Sequence, residues 1–404
     1  MDDRTPASLQ ALPEAVKGGV GAAIPHDSAH KHVSGEAVYI DDIPEPPGIL
    51  HLYAAQSTRA HARIKKLDVS HVRTAPGVVL VLTAEDIPGS NDVSPIGKGD
   101  DPILATDEVQ FAGQVLFAVA AENIGAAVAA AKRAVVEYED LEPILTIEQA
   151  LAKQSYVLDS YAMRRGDAAQ AIAAAAHRLS GRHAIGGQDH FYLEGQVSLA
   201  IPQEDGDVLV HCSTQHPSEV QHLIAHALHR PSNAVTVEVR RMGGGFGGKE
   251  TQAAQWAIIA ALAAVKTGRP AKFRLDRDDD RIMTGKRHHF VVDYDVGFDA
   301  DGRIAGIEFM QAAGCGFSAD LSGAIADRAM FHADNGYYLD NVEIVSHRCK
   351  THTVSNTAFR GFGGPQGMMG IEQVIDAIAR HLGKDPLEIR KLNLYGRGER
   401  NVTP

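Results

Sequence analysis

Hydrophobic and polar positions along this chain change period several times, and each change marks an element. The continuous apolar runs Gly77-Val-Val-Leu-Val-Leu82 and Val115-Leu-Phe-Ala-Val-Ala120 predict buried strands. Thr83-Ala-Glu85-Asp86 carries the residue types of a helix start, and an alanine-rich helix is predicted from Glu122 to Arg133. A strand follows at Val135-Val-Glu-Tyr138. With a first strand expected around Val38-Tyr39-Ile40, residues 25–150 read as a compact α/β unit, preceded by a flexible Ala/Gly/Pro-rich arm over residues 1–24. The polar stretch from Lys153 to Arg165 shows no period, and residues 151–165 are expected to be a linker.

A second unit spans 166–404. Gly166-Asp167 opens a helix through about Ala176. Strands are predicted at Val208–Cys212 and Val235–Val239, with a helix starting at Pro217 between them. Further helices run from Thr251 to Val265, ending at Gly268, and from Gly370 to Leu382, ending at Gly383. Both stops use glycine, the residue that most readily takes the left-handed conformation closing a helix. Asp385-Pro386 starts one more short helix.

Composition narrows the function classes. With 44% hydrophobic and 22% charged residues among 404, the chain can bury several cores, and no run approaches the ~20 apolar residues that span a bilayer. A net charge of -12 argues against a nucleic-acid groove, since Lys286-Arg287-His288-His289 is the only dense basic run. Cys212, Cys315 and Cys349 stand too far apart for a disulfide framework, a cysteine zinc site or an iron–sulfur cluster. The N-terminus has no charged leader followed by an apolar run, so a cytoplasmic setting is expected.

Two glycine-rich loops carry the candidate chemistry. Arg241-Met-Gly-Gly-Gly-Phe-Gly-Gly-Lys-Glu250 satisfies G-x-G-x-x-G between a strand and a helix, which suggests a dinucleotide site. Two features oppose it. Glu250 would repel a pyrophosphate, and the preceding strand alternates with charges, unlike a central parallel strand. The second loop, Asn356-Thr-Ala-Phe-Arg-Gly-Phe-Gly-Gly-Pro-Gln366, sets Arg360 and Phe362 between glycines, combining anion recognition with a stacking face.

Other groups read more plainly. His222 and His226 have metal-pair spacing but no third ligand, and are expected on a polar helix face. Asp276-Arg-Asp278-Asp-Asp280 opens like a calcium loop, but Arg281 and Arg287 stand where glycine and glutamate are required, leaving a solvated, salt-bridged turn. Cys212 is expected in a strand core. Tyr192, Glu194 and Gln196 are polar groups in an apolar segment, lining a cavity or forming a satisfied sheet face.

Taken together, the two loops resemble those of the molybdenum hydroxylases, in particular the molybdenum-binding subunits of xanthine dehydrogenases. Gly186-Gly-Gln-Asp-His-Phe-Tyr-Leu-Glu194, Cys212-Ser-Thr-Gln-His-Pro-Ser218 and Asp327-Arg-Ala-Met-Phe-His332 extend the resemblance over nearly everything from Pro25 onward. It implies a mixed α+β and α/β chain, with an α/β hammerhead domain followed by the first molybdopterin-binding domain. It further implies that Gln215, Gly245, Phe246, Gly247 and Arg360 hold a molybdenum–molybdopterin cofactor, with Gln215, Phe246 and Arg360 as neighbours of the metal. Glu250, Arg328 and Phe362 would bind a purine. Phe362 would stack on the ring, Glu250 would hydrogen-bond its edge, and Arg328 would stabilise negative charge on a purine oxygen. Glu250 and Arg328 would also be the catalytic groups this chain contributes.

The implied reaction is hydroxylation of hypoxanthine and xanthine to urate with water as the oxygen source. Electrons would pass to a 2Fe-2S cluster, FAD and NAD on a small partner subunit, in a heterotetramer containing a second copy of this chain. The general-base glutamate of the family belongs to a region after Pro404, so the chain is expected to be a fragment or a truncated form. The alternatives are a non-catalytic cofactor-binding fragment and an aldehyde-oxidising relative.

Overall fold

The computed structural model describes residues 19–396. Three sheets organise them. Seven strands form the largest, in the spatial order Val235–Glu238, Val208–Cys212, Val197–Pro202, Ala271–Arg274, Leu50–Gln56, Val115–Ala121 and Val78–Leu82. The continuous apolar run at Val115–Ala121 is buried at every position, as expected for a strand with neighbours on both edges. Leu50 pairs in parallel with Ala271, so strands from the first and second halves of the chain share one hydrogen-bonded sheet.

The helix Ala254–Thr267 lies against this sheet and is apolar on almost every side. A helix with that pattern must be enclosed, and here the helix Pro217–Leu228 packs beside it. Trp256, Ile258, Ile259 and Leu262 are each at most 1% exposed. The first half adds a small sheet, Glu108–Val109, Ala62–Asp68 and Val135–Asp140, around a separate core with the helix Ile124–Ala131. Five strands make the last sheet, in the order Tyr156–Arg165, Val342–Lys350, Ile304–Gly316, Phe290–Phe298 and His177–Ile185. The helix Gly364–Leu382 packs on its core.

Four expectations are corrected. The expected linker contains the strand Tyr156–Arg165, an edge strand of the five-stranded sheet; its single partner and mostly solvated faces explain its polar sequence. No strand forms at Val38–Ile40, where a 3₁₀ turn at Ile40–Asp42 follows a short helix at Ala29–Ser34. The helix expected from Gly370 starts at Gly364. Asp276–Asp280 is not a solvated turn: Asp276 accepts from Asp279 N and caps the helix Arg277–Met283, in which Asp280 is buried. The proposed arm falls largely on residues 1–18, outside the described residues.

Candidate functional site

The two glycine loops meet. The backbone N–H of Arg360 donates to the Phe246 carbonyl at 2.9 Å. At Gly247, φ is +101°, and a Cβ there would stand 2.5 Å from the Ala358 carbonyl oxygen. Glycine is required at this position by backbone conformation and by the proximity of the second loop. Phe246 and Phe362 also hold left-handed conformations, with φ of 55° and 48°. A bulky non-glycine residue there is uncommon. Phe246 is 49% exposed.

Gln215 follows the strand Val208–Cys212 and reaches under the first loop. Its Oε1 accepts from Gly247 N at 2.8 Å and Lys249 N at 3.3 Å. A Cβ on Gly245 would meet that same oxygen at 2.5 Å. With its oxygen engaged, the Gln215 amide keeps its NH₂ group free as a donor, with no acceptor among the described residues. Neither Gly245 N nor Phe246 N has an acceptor among the described residues. Two free main-chain donors, the Gln215 amide and the exposed Arg360 guanidinium on the facing loop make a donor set suited to an anionic, oxygen-bearing group.

Sequence reasoning noted Glu194, Tyr192 and Gln196 but not what they do, and it overlooked Lys249. These residues form no sheet face; they make a buried network under the first loop. Glu194 Oε2 accepts from Gly243 N at 2.7 Å and Ser213 Oγ at 2.7 Å. Lys249, with no exposed surface, donates to the Glu194 carbonyl at 2.6 Å and Ser213 Oγ at 2.7 Å, with its Nζ 3.6 Å from the Glu194 carboxylate. One end of the loop is thus tied to Glu194 through Gly243 and the other through Lys249. Burial lowers the Lys249 pKa to about 8, against the opposing pull of Glu194 and Asp280. Tyr192 donates to Asp280 at 2.6 Å, and Gln196 to the Gly248 carbonyl at 2.9 Å.

The basic run at Lys286–His289 braces the second loop. The Arg287 guanidinium lies 3.9 Å over the Phe359 ring and donates to the Arg360 carbonyl at 2.8 Å. His190 Nε2 donates to the Ala358 carbonyl at 2.7 Å. Only the position of His190, inside one of the matching segments, could have flagged it from sequence.

Glu250 ends the first loop, half-buried, and burial raises its pKa above the ordinary carboxylate value. Arg328 stands exposed on the helix Ser322–Phe331, and its guanidinium makes no hydrogen bond or ion pair among the described residues. The second loop is seated against this helix, because a Cβ on Gly363 would collide with the Ile325 carbonyl. His222 and His226 are both exposed on one helix, with no metal-ligating group of three or more among the described residues. Cys212 is fully buried in its strand. No helix among the described residues is long and apolar enough to cross a membrane.

Comparison with known proteins bears on both halves of the chain. Residues 151–394 match the molybdopterin cofactor-binding domain family. Residues 34–142 match the family described as the aldehyde oxidase and xanthine dehydrogenase a/b hammerhead domain. The chain is 44% identical over 399 residues to a xanthine dehydrogenase/oxidase of Gallus gallus, covering 97% of this chain and 29% of that protein. It is 44% identical over 377 residues to a xanthine dehydrogenase of Calliphora vicina, covering 93% and 28%. The fold is similar to that of the aldehyde oxidoreductase from Desulfovibrio gigas, with a TM-score of 0.86 at 29% identity, covering 93% of this chain and 43% of that one. The chain therefore spans less than a third of the length of the two curated relatives.

Proposed function

The chain belongs to the molybdenum hydroxylase family of aldehyde oxidases and xanthine dehydrogenases, and on that premise we propose that it contributes the cofactor-facing and purine-facing wall of a xanthine dehydrogenase. The observation that supports this reading is the meeting of the two loops through the Arg360 N–H and Phe246 carbonyl, with Gln215 and the free N–H groups of Gly245 and Phe246 beside that contact. That donor set fits a molybdenum–molybdopterin group. No cysteine ligand is needed from the protein, because the pterin supplies the metal's sulfur ligands. When bound, the group supplies the oxidising centre for hydroxylation with water-derived oxygen.

This chain's own residues bind and orient. Gln215 and the loop N–H groups donate to anionic oxygens, and Gly245 and Gly247 keep side chains out of the loop contact. Phe362 offers a ring face to a flat substrate. Glu250, holding its proton to higher pH than an ordinary carboxyl, hydrogen-bonds a purine edge either as donor or as acceptor. Arg328 brings a positive charge with no partner among the described residues to a developing negative oxygen.

The substrates are hypoxanthine and xanthine. Electrons leave to 2Fe-2S and FAD carried outside this chain, on a small partner subunit in a cytoplasmic heterotetramer, and from there to NAD. In the complete holoenzyme, Glu250→Ala and Arg328→Ala are expected to cut xanthine turnover far more than aldehyde turnover. Equal losses on both substrates would contradict the purine assignment.

A further inference from the structure

Beneath the purine-facing wall lies one carboxylate that touches every segment carrying it. Asp320 is 1% exposed and sits immediately before the helix that bears Arg328. Its Oδ2 accepts from Thr251 Oγ1 at 2.9 Å and from Gln252 Nε2 at 2.7 Å. Its Oδ1 accepts from Thr357 Oγ1 at 3.1 Å, and the two threonine hydroxyls lie 3.2 Å apart. Thr251 is the chain neighbour of Glu250, and Thr357 belongs to the loop that carries Arg360 and Phe362. From this arrangement we propose that Asp320 is the positioning residue of the purine-binding wall, fixing Glu250, Arg328 and Phe362 relative to one another. This rests on the purine reading given above.

Three features favour positioning over simple core filling. Asp320 holds φ at +40°, a strained conformation for a residue with a Cβ, and such strain persists only where the surroundings hold it in place. A buried carboxylate is also costly, and an apolar residue of similar size among apolar neighbours would pack more cheaply. What a carboxylate adds is direction: two oxygens, each aimed at donors from a different segment, set a register that packing alone leaves loose. Lastly, Gln252 turns its other amide atom away from Asp320 and accepts from Gly285 N at 2.8 Å, so the contact is braced from behind.

The test uses the complete holoenzyme and the near-isosteric variants Thr251→Val and Thr357→Val, each removing one arm without emptying volume, with Asp320→Asn as a third. Small displacements of substrate-positioning groups cost roughly 10-fold to 100-fold in rate, so kcat/KM for xanthine should fall by that range in each threonine variant. Molybdenum content and turnover of a small aldehyde, which has no ring edges for Glu250 and Arg328 to hold, should change about two-fold or less. A residue that serves only the fold would lower metal content and both turnovers together, and that result overturns the proposal. So does unchanged xanthine turnover in both threonine variants. A parent holoenzyme that oxidises neither xanthine nor hypoxanthine refutes the purine reading itself, and this role with it.

Discussion

Replacing Lys249 with methionine isolates the buried clasp beneath the first glycine loop. Methionine retains most of the lysine stem, so little cavity forms, and the effect is that of removing the ammonium. Its loss leaves the Glu194 carbonyl and Ser213 Oγ each short of a donor and the Glu194 carboxylate without its cation. Removing one partner of a buried pair costs about 3–5 kcal/mol. Glu194 keeps Gly243 N and Ser213 Oγ as donors, which puts the expected cost near the lower end, about 3 kcal/mol. For a cooperative body of about 380 residues, with roughly 2.1 cal/mol/K of unfolding entropy per residue, that is a fall of roughly 4 °C in thermal midpoint, read by the unfolding of the purified holoenzyme. Adding Glu194→Gln removes the orphaned charge, and the double variant should recover part of the loss. Linkage supplies a second signature. Because burial brings the Lys249 pKa from 10.5 down to about 8, the folded state binds fewer protons than the unfolded chain across that window. Stability of the parent should therefore rise from pH 8 towards pH 10.5, and this contribution should vanish in Lys249→Met. A midpoint within about 1 °C of the parent, or a double variant no better than the single, would refute the reasoning.

Two further predictions concern the loops and the domain junction. Gly247→Ala places a Cβ 2.5 Å from the Ala358 carbonyl at a φ of +101°, so the loops should separate and molybdenum content, measured by plasma mass spectrometry, should fall several-fold; full occupancy would show the loop contact to be dispensable. Burial raises the pKa of Asp101 from 3.8 to about 8 and that of Asp320 to about 7, so each holds its proton to higher pH in the fold than in the unfolded chain. The sign follows: the stability these two groups contribute should be greatest below about pH 4 and be lost as pH rises through about 8, and Asp101→Asn should remove its share of that decline in thermal midpoints taken at pH 5.5 and 8.5. An unchanged slope would count against burial as the cause.

Much of the scaffold is legible in the sequence. The buried strand at Val115–Ala121, the helix stops at Gly268 and Gly383, and the Asp167 and Asp385 caps all appear in the structure, while Val78–Leu82 is a strand but an edge one, buried only at Val81 and Leu82. The charged alternation that argued against a dinucleotide strand at Val235–Glu238 has a direct cause, because that strand is an edge of the large sheet. Reading fails where a residue's role depends on a distant partner. Tyr156–Arg165 is polar because it lies at an edge, and nothing local tells an edge strand from a linker. Lysine is rarely buried, and Lys249 is buried only because Glu194 and Ser213, remote in sequence, surround its ammonium. Asp320 carries no local signal, since its hydroxyl partners come from two other segments.

The pairing of Leu50–Leu52 with Ala271–Phe273 bears on modularity. The two family matches, 34–142 and 151–394, divide the chain into units that look exchangeable, yet the boundary cuts through one hydrogen-bonded ladder. A hammerhead segment expressed alone would present Leu50–Gln56 as an uncovered edge, open to pairing with another chain. Its partner would present Ala271–Arg274 in the same way. Recombination at that boundary should therefore yield aggregates unless the incoming hammerhead restores the parallel register. The inheritable unit is the shared sheet, and the two halves should unfold as one cooperative body.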